Sequence, residues 1–189
     1  LAVERLEESQ KDLTTLLEAY ALLRKTFHRE EWLYIIGKGS SEEELKQKAR
    51  ALGIADRTVF LGFCANPYPW MLRSRLLVHS AKFEGLPTVL IEGLLLDKLM
   101  VATDCPTGPR EILDDGRAGL LVPVGDAAAF ASATDRLLND TQLQADILQG
   151  VRDRAADFTF QAVDSKLREL MGIRLSTDGN GRSSTTFNR

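Results

Sequence analysis

The chain has 189 residues, of which 24 are Lys or Arg and 27 are Asp or Glu, and its formal net charge is -3. With 44% hydrophobic residues, a chain of this length can bury a real core, so disorder over most of it is excluded. The near-neutral balance carries no general electrostatic signature of nucleic acid binding, and an anionic ligand would need a local cluster of cations.

Short apolar segments alternate with helical patterns along the chain, which is typical of βαβ units and a parallel sheet. In chain order, the prediction is strand 1–3, helix around 13–23, strand 32–36, helix 42–52, strand 58–61, a short helix after Pro67, strand 76–79, helix 88–96, strand 99–103, helix 110–113, strand 119–122, and helices 127–138, 141–154 and 160–171. The sequence therefore predicts an α/β fold with a doubly wound, Rossmann-like parallel sheet of about six strands.

The composition changes after residue 171. Residues 172–189 are rich in Ser, Thr, Gly and Asn and poor in apolar side chains, which favours a disordered tail. We interpret residues 1–171 as one domain. The chain opens with Leu1 rather than Met, and residues 1–3 resemble the last part of a buried strand, so we expect it to be the C-terminal piece of a longer protein.

The cysteine and hydropathy patterns favour a cytoplasmic protein without a metal centre. Cys64 and Cys105 lack the spacing of a disulfide framework or a zinc site, and the two histidines are far apart in the sequence. The longest apolar stretch, residues 86–96, is interrupted by Glu92 and is shorter than the roughly 18 residues that a membrane span requires.

Ligands of open parallel sheets bind outside the carboxyl ends of the strands. Here those ends are followed by loops 4–11, 37–41, 80–87 and 104–109. The third of these loops carries the clearest signal. Gly85 allows a tight turn or a close approach to a ligand, and Pro87 suits the first turn of a helix. Because a helix start presents free N–H groups, this segment predicts a phosphate site.

Two carboxylates flank that predicted phosphate site, Glu84 before the turn and Glu92 inside the helix. Since carboxylates repel phosphate, we expect them to accept hydrogen bonds from neutral hydroxyls, as a sugar and a ribose would supply. The alternative is structural, with Glu84 stabilising the helix start and Glu92 solvated at the surface.

Four motifs from Asn66 onward, NPYPWML, FEGLPTVLIEGL, VATDCPTGPREIL and GLLVPVGD, carry a family resemblance. The chain resembles the C-terminal nucleotide-sugar-binding domain of retaining GT-B glycosyltransferases, and it is most similar to the bacterial enzymes that build lipopolysaccharide, capsule and other surface glycans. The likeness covers residues 1 to about 171, including the opening RLEESQKDLTTLLEAY. It implies one half of a GT-B fold.

The resemblance assigns roles to the residues around the predicted phosphate site. Glu84 and Glu92 match the family's two glutamates, of which the first contacts hydroxyls of the donor sugar and the second holds the ribose. Arg5 and Lys11 match the pair of cations that neutralises the donor diphosphate, although without the family pattern they would be ordinary surface charges. Backbone N–H groups of the helix start complete the implied diphosphate site, from Gly85, Leu86 and Thr88.

Two further loops match parts of the family's donor pocket. Gly37 and Gly39 form a turn that lies beside the nucleotide in the family, although a plain strand-to-helix turn explains them equally well. Asp104, Gly108 and Arg110 match a loop lining the pocket, in which Arg110 could assist the phosphate. The alternative for Arg110 is a surface salt bridge with Glu111 or Asp114.

The implied activity is transfer of a hexosyl or N-acetylhexosaminyl group from a nucleoside diphosphate sugar, with a UDP-sugar preferred, to a glycan or glycolipid. Departure of the nucleotide places negative charge on the β-phosphate, which preorganised cations stabilise, so no metal is expected. The acceptor site would lie in a missing N-terminal domain, so this part alone should be inactive. That missing part could also contact the inner face of a membrane peripherally.

Two observations leave alternatives open. The family usually places Gly before the first Arg, whereas this chain has Glu4, and that carboxylate would oppose diphosphate binding unless it points away or pairs with a cation. His79 ends a strand, and such a histidine is more often a satisfied structural residue than a catalyst. A catalytically inactive nucleotide-sugar-binding or interaction module, or another GT-B enzyme such as a nucleotide-sugar epimerase, is the alternative function.

Overall fold

The computed structural model describes residues 1–171, 173–177 and 183–187. The chain divides into two compact units, Leu1–Arg154 and Ala155–Arg189. The first contains the parallel strands, and the second contains a helix and a strand pair.

Six strands of the first unit run parallel and form two three-stranded sheets, in the orders β1-β2-β3 and β4-β5-β6. Their bounds are β1 Ala2–Val3, β2 Leu33–Ile36, β3 Thr58–Gly62, β4 Leu76–His79, β5 Leu99–Thr103 and β6 Leu120–Val122. Leu1 joins the two sheets, because the Val78 N–H donates to its carbonyl and its own nitrogen donates to the Leu76 carbonyl, each at 2.9 Å. The strand order is therefore 3-2-1-4-5-6, that of a doubly wound Rossmann-like half. The predicted fold class is confirmed, with two linked sheets of three strands in place of one continuous sheet of six.

Helices connect these strands, and two more helices follow the last strand. Their bounds are α1 Glu8–Lys11, α2 Leu13–Thr26, α3 Glu42–Ala51, α4 Tyr68–Arg73, α5 Thr88–Leu95, α6 Pro109–Ile112, α7 Ala127–Asn139 and α8 Thr141–Ala155. The short helix α1 lies within a segment predicted as loop, and Asp12 follows it in the left-handed region at φ 49°. Because that residue turns the chain sharply between α1 and α2, it fixes where Lys11, the last residue of α1, is presented.

The core of the first unit consists of aliphatic side chains between the sheets and the helices. On α2, the buried residues recur at helical spacing and include Leu13, Leu16, Leu17, Tyr20 and Leu23. This face packs against α7, whose Phe130 is 1% exposed. Burying this apolar surface is the main stabilising contribution to the unit that holds the strand ends in place.

The second unit contains α9, Phe160–Leu170, whose N-cap Thr159 accepts a hydrogen bond from the Ala162 N–H at 3.3 Å. It also contains an antiparallel pair, β7 Ile173–Thr177 and β8 Ser183–Phe187. This pair falls within the segment predicted as a disordered tail. Residues 172, 178–182 and 188–189 of that segment lie outside the described residues, and the domain boundary at 171 stays a prediction.

Across the residues that the structure describes, none of the helices combines the length and the apolar character needed to cross a membrane.

Candidate functional site

The loops that follow β1 and β4 meet at the carboxyl edge of the strands. The Lys82 N–H donates to the Gln10 carbonyl at 2.8 Å, and the Ser80 hydroxyl donates to the Lys11 carbonyl, also at 2.8 Å. They meet because β1 and β4 are neighbours in the strand order 3-2-1-4-5-6. These hydrogen bonds hold two segments about 70 residues apart in sequence next to each other.

Lys11 and Glu84 form an ion pair between these two loops. Their side chains are only 12% and 8% exposed, so the pair is shielded from bulk water. Arg5, the other predicted cation, is exposed at the same strand end. The structure thus brings Lys11 and Glu84 together as predicted neighbours of one ligand, and it joins them to each other.

Glu84 is held as a carboxylate by cations on two sides. Burial raises its pKa, but His79 and Lys11 outweigh that effect and lower the pKa below its ordinary value. The N-cap residue of α5 is Pro87, and no side chain caps this helix through a hydrogen bond. Glu84 is therefore an ionised group aimed into the loop cluster.

A buried pair, Glu4 and His79, lies behind Glu84. Glu4 Oε1 is 3.0 Å from His79 Nδ1, and the two side chains are 0% and 1% exposed. His79 Nε2 is 3.4 Å from Glu84 Oε1. Burial lowers the pKa of His79, but Glu4 and Glu84 outweigh it and raise the pKa to about 9. His79 is thus an imidazolium between two carboxylates at neutral pH.

The sequence reasoning missed this pair as a unit. It identified Glu4 as a carboxylate in need of a cation and His79 as a structural strand-end histidine. The structure places the two residues at the ends of adjacent strands, so the second supplies the cation for the first. Glu4 points into the protein, and its charge is compensated there.

Helix α5 begins beside Glu84. A Cβ atom at Gly85 would meet nothing within 4 Å, so protein packing does not require glycine there and the turn is open. Leu86 and Thr88 are exposed at the helix start, where the first N–H groups of a helix lack helical partners. Glu92, one turn further on, is half-buried, and burial raises the pKa of its carboxyl group. Its contact with a ribose stays a prediction.

The loop after β5 packs on the same turn. Gly108 has a φ of 88°, and a Cβ there would lie 2.5 Å from Pro87 Cδ. The Thr107 hydroxyl donates to the Glu84 carbonyl. Arg110 pairs with Asp104 and also with Asp115, at 3.3 Å from the latter. The salt-bridge partners suggested from sequence, Glu111 and Asp114, were therefore wrong, since the guanidinium turns toward Asp104 and Asp115.

Gly37 and Gly39 leave room for the chain's own backbone. A Cβ at Gly37 would lie 1.7 Å from the Glu4 carbonyl oxygen, and one at Gly39 would lie 2.2 Å from that of Leu6. Close packing of the loops after β1 and β2 is sufficient to require both glycines. Their contact with a nucleotide stays a prediction.

The pattern of a known family, described as "Glycosyl transferases group 1", matches residues 1–140. This chain belongs to the glycosyl transferases group 1 family. A Campylobacter jejuni relative, N-acetylgalactosamine-N,N'-diacetylbacillosaminyl-diphospho-undecaprenol 4-alpha-N-acetylgalactosaminyltransferase, is 32% identical over 158 residues, which are 84% of this chain and 42% of the relative. The lipopolysaccharide 1,6-galactosyltransferase of Salmonella typhimurium is also 32% identical, over 74% of this chain and 42% of its own length.

Solved structures of similar proteins agree with the fold of this group 1 chain. Anabaena HepE in complex with UDP-glucose is 25% identical with a TM-score of 0.78, over 89% of this chain and 48% of its own. The lipopolysaccharide outer core galactosyltransferase WaaB has a TM-score of 0.75 at 24% identity, over 89% of this chain and 47% of its own, and shows the fold alone. The chain spans about half the length of the relatives it matches.

In this group 1 chain, the structure brings some of the predicted site residues into contact and pairs another one elsewhere. Lys11 and Glu84 are in contact, and the loop of Gly108 packs against theirs. The Arg110 guanidinium forms ion pairs with the carboxylates of Asp104 and Asp115. Within the described residues, His, Cys, Asp and Glu side chains form no group of three or more that could hold a metal ion. Action without a metal stays a prediction.

Proposed function

We propose that this chain is the donor-binding half of a glycosyltransferase that moves a hexosyl or N-acetylhexosaminyl group from a nucleoside diphosphate sugar to a glycan or glycolipid, with retention of configuration. A UDP-sugar is the preferred donor. The observation that carries the proposal is the contact of Lys11 with Glu84 beside the open start of α5, in a chain of this family. HepE, at 25% identity, was solved with UDP-glucose.

The diphosphate would bind where positive charge is concentrated. Lys11 and the exposed Arg5 offer cations at the end of β1, and the N–H groups at Gly85, Leu86 and Thr88 offer donors at the start of α5. A helix start favours anions because of its free donors and its dipole. The space at Gly85 leaves room for a phosphate to approach the backbone.

The two glutamates would bind the neutral parts of the donor. Glu84 is an ionised carboxylate next to the proposed diphosphate position and would accept hydrogen bonds from hydroxyls of the sugar. Glu92, four residues into α5, would accept them from the ribose. Hydrogen bonds from neutral hydroxyls to a carboxylate are stronger than those between neutral groups, so both contacts would orient the donor.

The chemistry follows from the charge that develops on bond breaking. The bond between the anomeric carbon and the β-phosphate oxygen breaks, and its electron pair stays on the phosphate. Lys11, Arg5 and the helix N–H groups would stabilise that charge without metal assistance. The acceptor oxygen then bonds to the anomeric carbon on the same face, and its proton passes to the leaving phosphate.

The acceptor would be held by another part of the polypeptide. The chain spans 42% of its Campylobacter and Salmonella relatives and 48% of HepE, so we propose that an N-terminal domain of the same protein binds the acceptor. Any peripheral contact with a membrane would belong to that domain. The 189-residue chain alone should bind a nucleotide sugar and transfer nothing.

Calorimetric titration of the 189-residue chain with UDP, GDP and ADP tests the proposal. We expect one nucleotide, with UDP preferred, to bind in the micromolar to millimolar range, and Lys11→Met to weaken it about ten- to a hundredfold. Lys48→Met is the matched control, since Lys48 is also ion-paired, with Glu18 at 2.6 Å, but lies toward the far end of α3. Failure of all three nucleotides at millimolar concentration would overturn the donor site.

A further inference from the structure

Glu4 and His79 form a charged pair that is shielded from solvent behind the candidate site. Both side chains are at most 1% exposed, and their nearest atoms, Glu4 Oε1 and His79 Nδ1, are 3.0 Å apart. Neither carboxylate oxygen of Glu4 and neither nitrogen of His79 has a hydrogen-bond partner among the described residues. The contact is therefore one of opposite charges, and each charge needs the other because a buried lone charge is costly.

His79, which is buried, also contacts the candidate site. Its second nitrogen, Nε2, is 3.4 Å from Glu84 Oε1, the same oxygen that Lys11 contacts. Glu84 thus has two cations on one oxygen, of which only Lys11 belongs to a loop at the proposed diphosphate position. When Lys11 turns toward a phosphate, His79 remains as a cation at the largely buried Glu84 carboxylate.

We propose that His79 is a positioning residue of the donor site: its imidazolium compensates Glu4 and Glu84 together, so that Glu84 stays in place while Lys11 leaves it for the donor diphosphate. This inference rests on the proposed function. A neutral side chain at position 79 would leave Lys11 as the cation compensating Glu84. Lys11 would then be withheld from the phosphate.

The charged groups around His79 come from three segments. Glu4 follows β1, Lys11 ends α1, and Glu84 lies in the loop after β4. Cys105 lies close enough to Glu84 to be affected by it, and burial together with that carboxylate raises the pKa of its thiol to about 11, so it stays neutral at physiological pH. Of His79 and Cys105, His79 is therefore the group expected to change its charge first as the pH rises above neutrality.

The charge on His79 is measured directly by imidazole NMR of the 189-residue chain. The sequence has two histidines, His28 and His79, and His28 is exposed. A His28→Asn variant assigns the signals. We expect His79 to remain doubly protonated through pH 8. Titration of His79 near the value of an exposed histidine would overturn the proposal.

The effect on the ligand is measured by titrating UDP into wild type and His79→Gln between pH 6.5 and 9.5. We expect the variant to bind UDP about tenfold more weakly at pH 7 and the wild type to approach the variant as pH rises toward 9.5. Comparing wild type with the variant at each pH removes the effect that titration of the nucleotide itself has on the affinity. Uridine, which has no phosphate, should bind both proteins equally at pH 7.

A purely structural role for His79 predicts a different result. UDP affinity would then be the same in folded wild type and variant, with the same pH profile, and the inference would fail while the donor site stands. If no nucleotide binds the wild type, the proposed function itself fails. Should His79→Gln not fold, Glu4→Gln/His79→Gln removes both buried charges and carries the same comparison, and the wild-type pH profile decides independently.

Discussion

Lys11 and Glu84 are bound to each other, although the family resemblance assigns them to different parts of one ligand, the diphosphate and the sugar. Under the proposed function, donor binding would separate this shielded ion pair. The separation is feasible because Glu84 has a second cation, His79, 3.4 Å from the same oxygen. This ion pair leads to the prediction that one substitution affects nucleotide binding and sugar transfer in opposite ways.

Glu84→Gln should affect the affinity for UDP and the rate of sugar transfer in opposite ways. The amide keeps the shape of the side chain but releases Lys11, so UDP should bind the 189-residue chain as tightly as before or up to about threefold more tightly. Transfer by the full-length protein should fall about a hundredfold, because the oriented carboxylate is lost. Calorimetry and a transfer assay measure the two effects. Glu18→Gln, which breaks the remote pair with Lys48, should change neither.

Glu92→Ala should weaken nucleotide binding about ten- to a hundredfold, because a half-buried carboxylate that accepts ribose hydroxyls would be lost. The 2′-deoxy and 3′-deoxy nucleotides provide the matched test. They should bind wild type more weakly than the ribonucleotide and should bind the variant no differently from it. Equal loss of affinity for all three ligands in the variant would point to a disturbed α5 instead of a ribose contact.

Gly108→Ala should destabilise the chain more than Gly116→Ala. Both glycines have positive φ, 88° and 94°, so the backbone penalty is shared. A Cβ at Gly108 would press on Pro87 Cδ at 2.5 Å, whereas one at Gly116 meets nothing within 4 Å. We expect a difference of about 1 to 3 kcal/mol in the free energy of unfolding, measured by urea denaturation. If both variants lost a similar free energy of unfolding, the loop of Gly108 would be able to shift and accommodate the added methyl group.

The stability of the chain should depend on pH through His79. Its folded pKa of about 9 exceeds the ordinary value of 6.5, so the folded state binds the proton more tightly. The resulting stabilisation is complete below pH 6.5, declines as the pH rises, and is lost above about pH 9. It amounts to up to about 3 kcal/mol.

Urea denaturation of wild type at pH 6 and pH 9.5 measures this dependence. His79→Gln should lack it, while His28→Gln, at the exposed histidine, should retain it. If the stability difference between wild type and His79→Gln did not shrink from pH 6 to pH 9.5, the assigned charge of His79 would be contradicted.

Much of the fold was predictable because it follows from local patterns. β4 and β5 match their predicted bounds, 76–79 and 99–103, and helices α2, α3, α5, α7 and α8 begin and end within a few residues of prediction. Alternation of apolar and amphipathic segments reflects burial on both faces of a parallel sheet, which a single sequence displays. Helix α1 was missed because its four residues, Glu-Ser-Gln-Lys, include no apolar side chain that could show a helical period.

The site was predictable only in part. Glu84, Gly85 and the start of α5 lie in one continuous segment, so their grouping could be inferred from spacing. The partners of Arg110 could not, because a long guanidinium reaches several carboxylates and its choice depends on loop geometry. Similarly, the glycines at 37 and 39 are explained by backbone from another strand, which spacing within their own loop does not indicate.

By itself, the sequence determined the class of fold, the order of elements, and the family motifs that point to a nucleotide sugar. Only the tertiary structure decided how the charges are paired. Leu1 joins β1 to β4, and this adjacency places Glu4 against His79 and Lys11 against Glu84. Electrostatic pairing depends on distance and burial between residues remote in sequence, and these are set when strands take their neighbours, not by any local pattern.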